Sequence, residues 1–270
     1  MKKITACSFG LSTLLLAAAV PAQAEWQYEF TPYGWATDIM TTAGSGNGDA
    51  ATAEMDVDDV MNMLDATWMS MFEARNGNWS IMNDVVYMKL SDSMSGGASH
   101  TGRLGFVTAT ADFDTKVEFE QATADVMLGY TPDNTQTTVY GGLRYNYLAA
   151  DVDVRIDTNV DIGKRERFER SRSRSLSASG SRNEDWIDPV IGVRQLVPLS
   201  DKLTGIVQVD VGGGVDSEFS SIATAGVTYA FSDDINLRVA YRYARIDKDD
   251  NELLFDQTAD GLLIGVGFRF

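Results

Sequence analysis

Residues Asp256 to Phe270 constrain this chain most. Counting back from Phe270, every second residue is large and apolar: Phe270, Phe268, Val266, Ile264 and Leu262. The residues between them are Arg269, Gly267, Gly265, Leu263 and Gly261. Side chains of a strand point alternately to its two faces, so this stretch carries one greasy face and one made mostly of glycine with a single arginine. Two environments accept such a strand. In a sandwich the greasy face meets a second sheet. In a transmembrane barrel it meets lipid, while small and polar side chains fill the lumen.

The start of the chain favours the barrel. Lys2 and Lys3 form a positive region, Leu11 to Val20 a short apolar core, and Ala22-Gln23-Ala24 an A-x-A cleavage site before Glu25. Residues 1–24 therefore read as a secretory signal peptide, and residues 25–270 as one domain. The apolar run is too short for a membrane-spanning helix. Cys7 is the only cysteine. The mature chain then has none, which excludes a cysteine nucleophile or a cysteine metal site. Its 246 residues carry 20 Lys and Arg against 39 Asp and Glu, a net charge of −19. That acidity argues against nucleic-acid binding. No later stretch approaches the roughly 18 apolar residues of a helical span.

The stripe Leu262, Ile264, Val266, Phe268 and Phe270 resembles the C-terminal strand of bacterial outer-membrane β-barrels. The resemblance implies that these five residues are read by the barrel-assembly machinery. It extends along the whole mature chain as a set of alternating segments separated by turn residues. Trp26, Tyr28 and Phe30 oppose Gln27, Glu29 and Thr31, with a shift of register expected at Pro32. Asp65–Ala74 and Trp79–Leu90 flank Asn76-Gly77, a strong hairpin signal. Glu118–Tyr130, Thr138–Ala150, Trp186–Leu199, Leu203–Val215, Phe219–Phe231 and Asn236–Asp247 follow, and the final strand makes ten. Short turns at 76–77, 132–135, 200–202 and 232–234 alternate with connections at 41–64, 91–116, 157–185, 216–218 and 248–254, mostly longer, although the stretch after Gly102 to about Val117 could also be a strand extending above the membrane. An even strand count with short turns on one side is the pattern of bacterial barrels. The expected fold is an all-β, transmembrane, antiparallel up-and-down β-barrel of about 10 strands, 8 or 12 being the alternatives. Asp56–Leu64 reads either as a helical turn or as a strand extension. Pro32-Tyr33-Gly34-Trp35, Phe72 to Gly77 and Trp186-Ile187-Asp188-Pro189 are similar to a subgroup of small outer-membrane barrels, porin-like or OmpA-like. That resemblance implies location and fold and little chemistry.

Alternation sends eleven charged residues inward: Glu29, Glu73, Asp84, Asp125, Asp188 and Asp210 against Arg144, Arg194, Arg238, Arg242 and Arg269. A ten-stranded barrel is narrow, and unpaired buried charge costs several kcal/mol. The charges are expected to form a paired network, with Asp188 and Asp210, and Glu73 more distantly, as candidate partners of Arg238 and Arg242. A charged constriction that selects a solute is the alternative. Between Lys164 and Arg182 an Arg/Ser-rich segment reads as an irregular external loop. Arg165, Arg167, Arg170, Arg172 and Arg174 are its candidate anion ligands, with lipopolysaccharide phosphate as the anion. Aromatics are expected in two girdles: Tyr130, Phe231, Trp79 and Phe270 near the short turns, and Tyr147, Tyr243 and Trp35 near the long loops.

Outer-membrane proteases, phospholipases and lipid A-modifying barrels resemble the same architecture. Their families use histidine-containing sets, whereas His100 is the only histidine here and sits on a Gly/Ser stretch without a partner motif. Asp56-Val57-Asp58-Asp59 lacks the glycine and distal Glu of a Ca²⁺ loop. The expectation is therefore a non-enzymatic barrel, structural or surface-interacting, with no cofactor and no metal site. A narrow channel for a small solute comes second, and an enzyme acting on outer-leaflet lipid or peptide third.

Overall fold

The computed structural model describes residues 25–44, 50–101, 107–164, 168–214, 219–249 and 254–270; residues 1–24, the expected leader, lie outside them. In chain order the elements are β1 (Gln27–Gly44), β2 (Ala50–Met55), α1 (Val57–Met63), β3 (Leu64–Asn76), β4 (Trp79–Thr101), β5 (Val107–Tyr130), β6 (Thr137–Lys164), β7 (Phe168–Pro198), β8 (Leu203–Gly212), β9 (Phe219–Ala230), β10 (Ile235–Asp249) and β11 (Leu254–Arg269). The sheet is antiparallel throughout, and β11 returns to pair with β1, so the sheet closes into a ring. β3 pairs with the inner part of β1, Gln27–Pro32, and β2 pairs with its outer part, Ile39–Gly44. Among the described residues, ten strands therefore go round the ring and β2 is an eleventh beside the outer part of β1. The β1–β3 ladder stops at Pro32, which has no N–H to donate. Alternation runs through Pro32 without the expected shift: Thr31, Tyr33, Thr37 and Ile39 are all buried. Asp56–Leu64 resolves as a helix. The Asp56 carboxylate accepts from the Asp59 N–H, and the Asp59 carboxylate accepts from the Asp56 N–H. This reciprocal arrangement satisfies two orphan donors at the helix start.

The outward positions form an apolar band. Val126, Leu128, Val139, Leu143, Ile187, Ile191, Val207, Leu262 and Ile264 are all exposed. In water such a surface would associate; in a membrane it is the solvated face. Aromatics cluster at its inner rim, where Tyr28 stacks on Phe270 at 5.7 Å, Trp79 meets Tyr130 at 4.9 Å and Tyr229 meets Phe231 at 5.1 Å. The start of β1 and the end of β11 meet there, with reciprocal backbone hydrogen bonds between Tyr28 and Phe270. The first tight turn is Gly77-Asn78 rather than Asn76-Gly77, with Gly77 at φ 57°. A positive φ at the first central residue alone is the type II′ arrangement, which favours glycine there.

The connections expected at 91–116 and 157–185 are strand. β4 to β7 continue far beyond the membrane band, whereas β8 and β9 are short. The four long strands keep unbroken registers over most of their length. The Arg/Ser segment is thus the outer half of β7, not an irregular loop. Its composition hid a period of two: Arg174, Leu176, Ala178 and Arg182 share one face, and Ser173, Ser175, Ser177, Ser179 and Ser181 share the other. Along this four-stranded extension the polarity inverts. The face continuous with the lumen carries Met94, Phe113, Val117, Val152, Ile156 and Leu176, all exposed. The face continuous with the lipid surface carries the serines with Asp112, Asp114, Lys116, Asp153 and Arg155. Water replaces lipid as the outer solvent above the membrane, and the sequence follows that change.

Candidate functional site in the barrel lumen

Register explains why the lumen is charged in layers. Glu29 sits directly opposite Glu73, and Asp84 directly opposite Asp125. Like charges facing each other across a ladder repel, so each pair requires cations from elsewhere in the ring. Arg144 lies opposite both Asp125 and Asp188 in its two ladders. It reaches Asp125 with Nε at 2.8 Å and Nη2 at 3.0 Å, and Asp210 with Nη2 at 2.9 Å. Its side chain is 1% exposed. The Tyr140 hydroxyl donates to Asp210 at 3.2 Å. Asp188 accepts from Asn146 at 3.2 Å and from the Trp186 indole at 3.1 Å.

Arg242 completes this upper layer. Its partner is Asp84, at 2.8 Å, and not Asp188 or Asp210 as expected from strand proximity. Proximity along the sheet misleads here because guanidiniums cross the narrow lumen. The Tyr33 hydroxyl links the pair, accepting from Arg242 at 2.8 Å and donating to Asp84 at 2.7 Å. The Trp35 ring lies 5.2 Å from the Arg242 guanidinium carbon. Trp35 therefore points inward and contributes cation–π contact, which removes it from the outer girdle.

The lower layer, toward the short turns, is built differently. Arg194 grips Glu73 with both Nη atoms, at 2.7 and 2.8 Å, and Arg75 reaches the same carboxylate at 2.7 Å. Arg238 meets Glu29 at 3.3 Å, and Arg269 meets it at 2.8 Å. Gly265 and Gly267 make room here: a Cβ on Gly265 would lie 2.8 Å from the Tyr33 Cβ, and one on Gly267 2.6 Å from the Asn236 amide. Sequence reasoning missed Arg75, Tyr33 and Tyr140. Arg75 has the parity of Glu73 and was available from alternation. The two tyrosines were not, because a phenol reads equally well as a girdle residue.

Between and around the layers the lumen holds little space. One cavity of about 70 Å³ separates the two layers, and another of about 50 Å³ lies above Arg242, walled by Trp35, Met69, Met88 and Ile246. Farther out, Val60 of α1 packs with Ile39, Met88, Leu90 and Ala259, and Leu148, Trp186, Ile246 and Phe255 form a second apolar cluster. Toward the short turns the lumen widens into a vestibule of about 600 Å³.

The other expected site residues lie apart from this network. Leu262, Ile264, Val266, Phe268 and Phe270 all face outward. Arg165 and Arg167 lie outside the described residues, as do the side chains of Arg170 and Arg172; Arg174 is exposed on β7. His100 is exposed, on strand β4 rather than on a loop.

No family model matches the chain, and no curated protein does. Solved structures are similar in fold. The translocator domain of autotransporter NalP from Neisseria meningitidis is 15% identical, covering 93% of this chain and 90% of that one, with a TM-score of 0.41. The outer membrane protease OmpT from Escherichia coli is 9% identical over 91% and 97%, with a TM-score of 0.48. Neisserial surface protein A is 15% identical over 92% and 99%, with a TM-score of 0.25. The closed antiparallel ring, the apolar outer band and the aromatic rim give this chain the fold of a bacterial outer-membrane β-barrel.

Proposed function

We propose that this protein is a non-enzymatic barrel of the Gram-negative outer membrane that presents a surface rather than conducting a solute. The supporting observation is the sealed lumen. The cavities flanking Arg242, about 70 and 50 Å³, have room for a few waters. A file of hydrated ions does not fit, and an apolar cluster closes the outer half. What reaches the outside is the β4–β7 extension with its exposed Phe113, Ile156 and Leu176. The leader carries the chain across the inner membrane, and the stripe from Leu262 to Phe270 engages the barrel-assembly machinery. Lipopolysaccharide then surrounds the outer half of the barrel, and Arg174 stands exposed on the extension above it. Planar-bilayer recording of the purified mature protein tests this reading. Silent bilayers are expected; a stable, ion-selective conductance would replace the sealed barrel with a small-solute channel.

A further inference from the structure

The outer halves of β4 to β7 form a wall above the membrane whose two faces differ. On the face continuous with the lumen, Phe113 lies between Gly96 and Ile156, with Leu176 beyond, and Val117 lies opposite Val152 four residues nearer the membrane. The Phe113 ring lies across Gly96, where a Cβ would stand 2.5 Å from it, so the surface stays low and even. Met94, Phe113, Val117, Val152, Ile156 and Leu176 are 38–68% exposed, so no element among the described residues covers them. From Asp92–Ala98 on β4 to Arg174–Gly180 on β7, the only charges on this face are Asp92 and Arg174, at opposite corners. The other face carries Asp112, Asp114, Lys116, Asp153 and Arg155, all exposed.

Size narrows the occupant. Four strands and four rows of side chains cover about 19 Å by 27 Å, or about 500 Å². Exposed apolar patches of that size mark interaction sites. The patch is broad and even, whereas small ligands take concave pockets. Two such patches pressed together bury about 1,000 Å², the lower limit of a specific interface.

Orientation narrows it further. The apolar face has lumen parity, so it is turned toward the axis of its own barrel. A neighbour in the same membrane stands outside the ring and meets the charged face. Across the mouth the rim is low: β8 ends at Gly212, opposite Val190, while β7 continues outward to Phe168. Only a partner arriving from outside the cell reaches the apolar face.

We propose that the partner is a second copy of this chain in an opposed membrane. Its wall arrives inverted, enters above the low rim, and packs face to face as the second sheet of a sandwich. The contact is isologous, so each copy covers the other's apolar patch. One pair sits at the lower limit of interface size, and many pairs between two membranes act together. This inference rests on the surface-presenting barrel proposed above.

Clustering of phosphatidylcholine vesicles carrying the mature protein tests it, read by energy transfer between two dye-labelled populations. Trypsin added outside, acting at exposed Arg174 and Arg182, verifies that the walls project outward. Native vesicles are expected to cluster with one another and not with bare vesicles. I156D is expected to slow clustering at least tenfold, also when only one of the two populations carries it. S177D places the same charge on the other face and is expected to cluster as the native protein does. Heat-modified gel mobility checks folding; if I156D fails to fold, L176D at the more exposed Leu176 is expected to act in its place. No clustering of native vesicles would overturn the proposal. So would equal clustering with bare vesicles, native clustering by the folded Asp variant of the apolar face, or an equal loss in S177D. Failure to cluster with silent bilayers strikes this contact and leaves the sealed barrel standing, whereas a conductance strikes the sealed barrel itself.

Discussion

The two charged layers use the same chemistry and end in different states. In the upper layer Arg144 is 1% exposed, Asp210 3% and Arg242 4%, with Asp84 at 19%. In the lower layer Arg194 is 7% exposed, Glu73 and Glu29 are 22% and 20%, and Arg269 reaches 47%. Upper-layer arginines are enclosed by carboxylates, a phenol and an indole, while the lower layer opens onto water. Removing charges from solvent is costly, and only complete pairing offsets the cost. On the sealed-lumen reading proposed above, the upper layer is the seal and the lower layer its water-facing side. The gradient follows the lumen: apolar packing and α1 shut the outer end, and the turns leave the inner end wide.

Substitutions in the upper layer are the strongest way to break this contrast. Arg144→Ala leaves Asp125 and Asp210 without their guanidinium, at a cost of roughly 3–5 kcal/mol. Urea titration followed by heat-modified gel mobility reads this as a lower midpoint or a failure to form the folded band. A stable, folded Arg144→Ala protein would show that the upper layer is wet, and the distinction between the layers would vanish.

The next effect concerns partner choice. Arg242→Ala and Asp84→Ala are each expected to destabilise. The double variant is expected to cost less than their sum by about 0.5–3 kcal/mol, the range for groups in direct contact. Arg242→Ala combined with Asp188→Ala should show a smaller coupling. A larger coupling with Asp188 would return Arg242 to the partner suggested by strand proximity.

Arg269→Gln gives the smallest effect on stability. The Arg269 side chain is half exposed, and its pair with Glu29 is an ordinary exposed ion pair, worth under about 1 kcal/mol. An unfolding midpoint near that of the native protein is expected. A loss as large as that of Arg144→Ala would mean that the lower layer is a second seal.

The sequence by itself determined which way the side chains face. Period two is a local property of an extended chain, so Leu262 to Phe270 and the eleven inward charges could be assigned without knowing any neighbour. Those eleven all line the lumen or its mouth, among them Asp84, whose strand reads as mixed on both faces. The ring of ten strands was legible too, because short turns are written in Gly, Pro, Asn and Asp. The outer halves of β4 to β7 were not. Ser- and Gly-rich strands above the membrane lack the greasy alternation that marks a lipid-facing strand, and nothing local separates them from loops. Tertiary structure alone decided the pairings. Glu73 and Arg194 lie 121 residues apart, and Tyr33 and Arg242 lie 209 apart. Such partners meet only because the sheet closes on a lumen narrow enough for side chains to span. The two layers, one dry and one wet, come from that closure: burial depth belongs to the ring as a whole, and no single strand encodes it.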